Sequence, residues 1–273
     1  MNIEKERLKY IEWLEMARQK NDEYFEVVKE FMPMLSNYSK KCSHKETILA
    51  LTSFHTHLST LKNGIMDLSE SNNIYSIKAL YRIYLEHWLK GTYIWTRYTK
   101  EKNDDVGIEY SRLGRIGEYL KYGKSIKQIS IILDAETKNL DVWDILCKYD
   151  KELIKLSKQD ILDNIKKFEY KSIAKYIVDN KSPGADWFSV IIPEYSELSS
   201  FVHGGPSASI EYYSTLYNKQ FEEYRGMIRF TFNTCRIFSY SIFLLILKDS
   251  HSKEKEKILS LLFKLQNKNG MIS

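Results

Sequence analysis

Apolar residues recur at three- and four-residue spacing along most of this chain, and no apolar–polar alternation persists long enough to predict a strand. Ile3, Leu8, Ile11, Leu14, Phe25, Val28 and Phe31 lie on one helical face, so residues 3–31 read as a long amphipathic helix ending at Pro33. The polar run 36–45 reads as a loop. Helices follow over 45–69 and 74–100, the second opening after Ser71-Asn72-Asn73, whose side chains suit an N-cap. Gly107, Gly114, Gly117 and Gly123 punctuate the next segment and predict shorter helices there, with a weak apolar run over 125–138. A helix near 141–157 and one or two over 159–179 lead to Lys181-Ser-Pro183-Gly184, the clearest break in the pattern. Beyond it come a helix over 187–203, interrupted or begun at Pro193 and ended by Gly204-Gly205-Pro206, and others over 208–217, 220–248 and 252–267. The pattern predicts an all-α multi-helix bundle of roughly 8 to 11 helices. It reads as a single domain over 1–273, with any sub-boundary near 180–185.

Composition sharpens this reading. The 20 Tyr residues against 11 Gly and 4 Pro skew the chain toward long, packed elements with few turns. A net charge of +5 over 273 residues suits neither a nucleic-acid-coating nor a strongly acidic protein. Eight lysines over 151–181 are matched by six acidic residues over 150–181, the mark of a solvated face and not of an RNA groove. Cys42, Cys147 and Cys235 are odd in number and far apart, which fits a reducing, cytoplasmic setting. The N-terminal residues lack a signal peptide's apolar stretch, and the longest apolar run, 237–247, is too short to span a bilayer, so no membrane is expected.

Chemistry concentrates in two polar motifs within this apolar, aromatic sequence. In Arg82-Ile-Tyr-Leu-Glu86-His87, Arg82 and Glu86 are helical neighbours, whereas His87 is turned roughly 140° from Arg82. A structural ion pair and a catalytic arginine are both open there. Tyr195, Ser199 and His203, four and four apart, set a phenol, a hydroxyl and an imidazole along one stripe. His203 ends that helix, so it is read either as a C-capping group with Gly204 as the left-handed residue or as an acid–base beside a Gly-Gly opening. Arg225, Arg229 and Arg236 form a third feature on the long C-terminal helix, where phosphates or carboxylates are the expected partners. Cys42-x-His44 and His55-x-His57 lack metal-ligand spacing, because i and i+2 point apart on a helix; neither a metal nor another cofactor is expected.

Arg82-x-x-x-x-His87 resembles the loose Arg-x(4 to 6)-His signature of the HEPN superfamily, small helical-bundle proteins many of which are metal-independent endoribonucleases. Ile83 departs from the polar residue usual after that arginine, and the motif sits earlier in the chain than is typical of the family. The pairing of Arg82 and Glu86 with Tyr195, Ser199 and His203 is similar to an uncharacterised bacterial helical family, distantly HEPN-like, associated with phage defence and toxin–antitoxin systems. That resemblance spans about 74–215. It implies an HEPN-like core, with Arg82, Glu86 and His203 meeting between two helices and the arginine stripe nearby. It further implies an endoribonuclease or toxin-type effector, with RNA as substrate, a homodimeric state and a partner protein from the same operon. His203 or His87 would serve as base, and Arg82 with the stripe would hold phosphate. The residues alone equally support a non-catalytic sensor or scaffold that binds a nucleotide or a protein partner.

Overall fold

A computed structural model describes residues 3–135, 139, 141–149, 151–155, 157–180, 188–215, 220–249 and 252–268. The described residues form eleven α-helices and no strand. The first four are α1 (Ile3–Ser39), α2 (Lys45–Glu70), α3 (Ile74–Glu101) and α4 (Asp105–Ile132). The short α5 (Val142–Tyr149), a 3₁₀ turn at Leu153–Lys155, α6 (Lys158–Lys166) and α7 (Tyr170–Asp179) follow. The chain closes with α8 (Phe188–His203), α9 (Pro206–Thr215), α10 (Phe221–Asp249) and α11 (Ser252–Lys268). The all-α bundle expected from the periodicity is the architecture found. The 181–184 break and most of the suggested sub-boundary lie outside the described residues.

Helix α3 is the hub. Its Tyr84 hydroxyl donates to the Thr231 carbonyl at 2.7 Å, fixing it to α10, and Tyr93 packs edge-on against Tyr176 of α7. Arg97 spans α3 and α4 through Glu101 at 2.7 Å and Glu109 at 2.6 Å. Tyr75 and Lys78 meet Phe201 while Arg82 meets Tyr195, so α8 runs antiparallel along α3. The main core unites buried residues from α1–α4 and α7–α11. A smaller core, Leu113, Ile116, Leu120, Trp143, Leu153 and Ile161, sits under α4–α6.

Four boundaries differ from the sequence expectation: in place of one helix near 141–157 come α5 and the separate 3₁₀ turn at Leu153–Lys155, and the other three changes fall at proline or glycine. Helix α1 continues six residues past Pro33. Pro33 is exposed, so the carbonyl it frees faces water, while buried Phe31 and Leu35 on either side hold the helix to the core. The glycine-punctuated segment is one continuous helix, α4, because two of its glycines serve close packing: a Cβ at Gly123 would lie 2.2 Å from Val142 Cγ1, and one at Gly107 would collide with α2 backbone. In α8, Pro193 lies within the helix and neither begins nor ends it.

The start of α2 has an unusual cap. Its own N-cap residue, His44, makes no side-chain capping bond. Asp104, at the start of α4, accepts from Glu46 N at 2.9 Å and Thr47 N at 2.7 Å. The expected N-cap of α3 is Asn73, whose side chain accepts from Ser76 N. Helix α10 is, among the described residues, the one long and apolar enough to cross a membrane, over Phe221–Lys248; 56% of its apolar window is buried inside the bundle.

Candidate functional site

Helix α3 presents Arg82, Glu86 and Lys90 on one stripe at successive i, i+4 spacings. Arg82 Nη1 donates to Glu86 Oε2 at 3.0 Å, and Lys90 Nζ donates to Glu86 Oε1 at 2.7 Å. Burial pushes the Glu86 carboxyl up, but the bonds and charges of Lys90 and Arg82 outweigh it and hold the group down near about 2. The Arg82 guanidinium lies 3.3 Å from the centre of the Tyr195 ring on α8. Tyr195 in turn stacks on Tyr170 of α7, with ring centres 4.0 Å apart and planes within 5°. Three helices thus build an arginine–tyrosine–tyrosine stack, a favourable geometry for cation–π contact. Burial raises the Tyr195 phenol to about 12 and the Tyr170 phenol above its usual range, so both are neutral donors at pH 7.

Beside the stack lies a cavity of about 200 Å³ lined by Glu86, Lys90, Lys121, Phe168, Tyr170 and Tyr195, among others. Two buried polar atoms of the stack, Arg82 Nε and the Tyr170 hydroxyl, have no hydrogen-bond partner. Leaving such a donor unpaired costs on the order of 1–3 kcal/mol, so each calls for an acceptor.

Arg82, Glu86 and Tyr195 come together, whereas the expected meeting of Arg82 and Glu86 with His203 is not found. The remaining candidates lie elsewhere. His87 faces α2, its ring 5.0 Å from that of His57 and 5.8 Å from Phe54. His203 is exposed at the end of α8, about 12 Å along the axis from Tyr195, toward the start of α3 and away from Arg82. Gly204 adopts φ +65 and Gly205 N donates to the Ser200 carbonyl at 2.8 Å, a Schellman ending. Ser200 Oγ also accepts from Ala208 N, so the Gly-Gly pair serves the α8–α9 turn. Ser199 is half-buried one turn beyond Tyr195.

No family model, curated protein or solved structure matches this chain.

The arginine stripe lies apart from the stack. Arg225 pairs with Glu222 and sits 5.6 Å from the Trp13 ring of α1, and Arg229 sits 5.7 Å from the same ring. Aromatic faces of α1 receive these two arginines. Arg236, its guanidinium's pKa lowered by burial, lines a separate groove of about 250 Å³ with Asn233 and Tyr240. Glu223, a potential stripe partner, is bound by buried Lys78 at 2.7 Å, which also contacts Glu211. Among the described residues, no three of His, Cys, Asp or Glu converge as a metal site.

Sequence reasoning missed Tyr170, Lys90 and Lys121. Lys90 was readable from its i+4 spacing to Glu86; Tyr170 and Lys121 arrive from distant helices with no local signal. It also missed a buried polar cluster between α1, α2 and α10. There Tyr24 OH lies 2.7 Å from His55 Nε2, Ser239 Oγ lies 2.6 Å from the same nitrogen, and Ser59 Oγ lies 3.3 Å from Cys235 Sγ. Lys62 donates to Asn21 and points its ammonium at the Tyr24 ring, 4.8 Å away. Burial raises the Cys235 thiol, but the Lys62 charge and the bonds of His55 and Ser59 bring it below its usual range.

His87 gives this region a pH signature. Burial, followed by the charges of His57 and Lys90, lowers it from 6.5 to about 4, and its buried Nδ1 has no partner. Between those values the unfolded chain binds a proton that the folded chain does not, so stability falls as pH drops from 6.5 to 4. After screening, the expected loss is about 2 kcal/mol. Urea midpoints at pH 7 and pH 5 check this: wild type loses stability over that interval, and His87→Leu loses markedly less. The contribution of Glu86 is lost only below its unfolded value of 4.5, outside the pH 7 to 5 comparison.

Proposed function

We propose that this protein is a non-catalytic helical sensor or scaffold module whose Arg82–Tyr195–Tyr170 site binds a small anionic ligand of the nucleotide class. The observation that carries this reading is the buried Tyr170 hydroxyl, a donor without an acceptor on a residue that lines the cavity, with the Arg82 guanidinium on the far face of the neighbouring Tyr195 ring. An anionic oxygen in the cavity would satisfy the Tyr170 hydroxyl, and hydrogen bonds to a charged acceptor are the stronger class. Lys121 supplies positive charge, Lys90 being paired with Glu86, against the carboxylates of Glu86 and Glu169, while Phe168 and the tyrosine rings offer aromatic surface to a base. The metal-independent endoribonuclease suggested by the HEPN resemblance would need a base beside Arg82. His87 is turned toward α2 and His203 lies two turns down α8, so the geometry favours binding over cleavage.

Calorimetric titration with AMP, ATP and inorganic phosphate tests the proposal. Micromolar binding of a nucleotide is expected, weakened about fivefold to tenfold by Tyr170→Phe, the worth of one hydrogen bond. Because the buried Tyr170 hydroxyl has no partner in the free protein, Tyr170→Phe should keep or raise the melting temperature. Arg82→Ala should abolish binding. Absence of binding to every ligand, or affinity indifferent to Tyr170→Phe, would overturn the reading. EDTA-resistant RNA cleavage lost in His203→Ala or His87→Ala would replace it with the ribonuclease.

A further inference from the structure

A second cavity, of about 340 Å³, lies at the end of the bundle where the first turns of α1, the last turn of α2 and the start of α10 meet. Its volume falls in the range of small-ligand pockets, roughly 300–1,000 Å³. It shares no lining residue with the cavity beside Tyr170. The Tyr224 hydroxyl, 2.7 Å from Asn72 Oδ1 and 2.5 Å from Gln220 Oε1, ties the end of α2 to the start of α10 and so holds two of its walls together.

The lining carries both signs of charge. Arg7 is exposed and makes no hydrogen bond or ion pair among the described residues. Glu70 gives its Oε2 to Arg18 at 2.9 Å and keeps Oε1 unbonded among the described residues. Around Glu70, α2 ends in carbonyls that add negative partial charge. Arg7 and Glu70 thus face one cavity without pairing, which leaves a place for a molecule that carries both charges itself. An inorganic anion or a simple amine would meet one partner and one like charge. The inner wall adds a donor and apolar surface. Tyr10 is fully buried and its hydroxyl completes no hydrogen bond, while the neighbouring Ser69 hydroxyl donates to the Met66 carbonyl at 2.7 Å. An orphaned donor of this kind calls for an acceptor. The Tyr10 and Phe221 rings stack with centres 5.1 Å apart and line the cavity with Ile11.

We propose that this cavity binds a free α-amino acid with an aromatic or large apolar side chain. Arg7 and the Tyr10 hydroxyl hold its carboxylate, Glu70 Oε1 and the carbonyl end of α2 hold its ammonium, and Ile11 and Phe221 cover its side chain. The inference is independent of the ligand reading above.

Calorimetric titration of the full chain with L-phenylalanine, L-leucine, N-acetyl-L-phenylalanine and phenethylamine tests it. At least one of the two free amino acids is expected to bind. N-acetyl-L-phenylalanine lacks the ammonium and phenethylamine lacks the carboxylate, so each should bind about tenfold more weakly or worse, the worth of one charge-assisted bond. Arg7→Ala, a change at an exposed position that leaves the melting temperature of the free protein in place, should weaken the amino acid to the same degree. Tyr10→Phe should weaken it a few-fold while the melting temperature is kept or raised, because the lost hydroxyl had no partner. No binding of either amino acid at millimolar concentration would overturn the site. Equal affinity for the acetylated compound or for the amine would overturn the pairing of charges, and affinity indifferent to Arg7→Ala would overturn the placement.

Discussion

Gly107→Ala should be among the most damaging single substitutions in this protein, lowering stability by about 3–5 kcal/mol and the melting temperature by roughly 10 °C. A Cβ at this position would lie 2.1 Å from Thr47 N and 2.5 Å from both the Glu46 carbonyl carbon and Thr47 Cα. These are backbone atoms, so no rotamer change relieves the overlap; α2 and α4 must move apart. Their separation would also pull Asp104, three residues away, from the amides of Glu46 and Thr47. Two losses therefore follow from one methyl group: the packing of α4 on α2 and the cap of α2. Loss of a cap alone typically costs about 1 kcal/mol, and steric strain supplies the rest. Gly114→Ala is the matched control, since a Cβ there meets nothing within 4 Å, and it should be neutral or slightly stabilising. Thermal denaturation of the two variants side by side checks the argument; equal melting temperatures would refute it.

Lys62→Met should act in the opposite direction, raising stability by about 1–3 kcal/mol. Lys62 is 2% exposed, and among the described residues no carboxylate bonds its ammonium. Desolvation lowers its pKa, with Cys235 and Asp22 pulling the other way. Methionine keeps most of the volume and the contact with Tyr24 and Phe232 while removing the desolvation penalty. The costs are the bond to Asn21 and the cation–π contacts, each worth about 1 kcal/mol. Lys62→Ala should instead destabilise, because it leaves a cavity in the main core. Urea denaturation of both variants tests the pair. A large loss in Lys62→Met would mean that the Lys62–Cys235 charge interaction stabilises the core more than burial opposes it.

The helices were legible where one face is apolar over several turns, as in α2, α3 and α10, because burial of such a face decides the local conformation. They were misjudged where glycine and proline were read by propensity alone. Pro33 and Gly107 sit at sites where exposure or close packing reverses the usual expectation, and neither circumstance is encoded within a few residues. At the candidate site, Arg82 with Glu86 was readable because i, i+4 geometry is local. The second motif supplied its neighbour, but through Tyr195 and not the expected His203, and nothing near Tyr170 or Lys121 in sequence marks them as members. The arginine stripe was readable as a feature of the long C-terminal helix. Its partners were not foreseen, because Trp13 and Tyr10 reach it from the other end of the chain.

The cap that Asp104 gives α2 has a consequence for synthesis. The amides of Glu46 and Thr47 wait for a carboxylate made 58 and 57 residues later. Until α3 has emerged and folded back, the first turn of α2 has only water for those amides. The hairpin of α2 and α3 is therefore completed from outside itself, and a fragment ending at Glu101 would carry a frayed α2 start however well its apolar faces match. The N-terminal hundred residues become a finished unit only when the beginning of the next helix closes them.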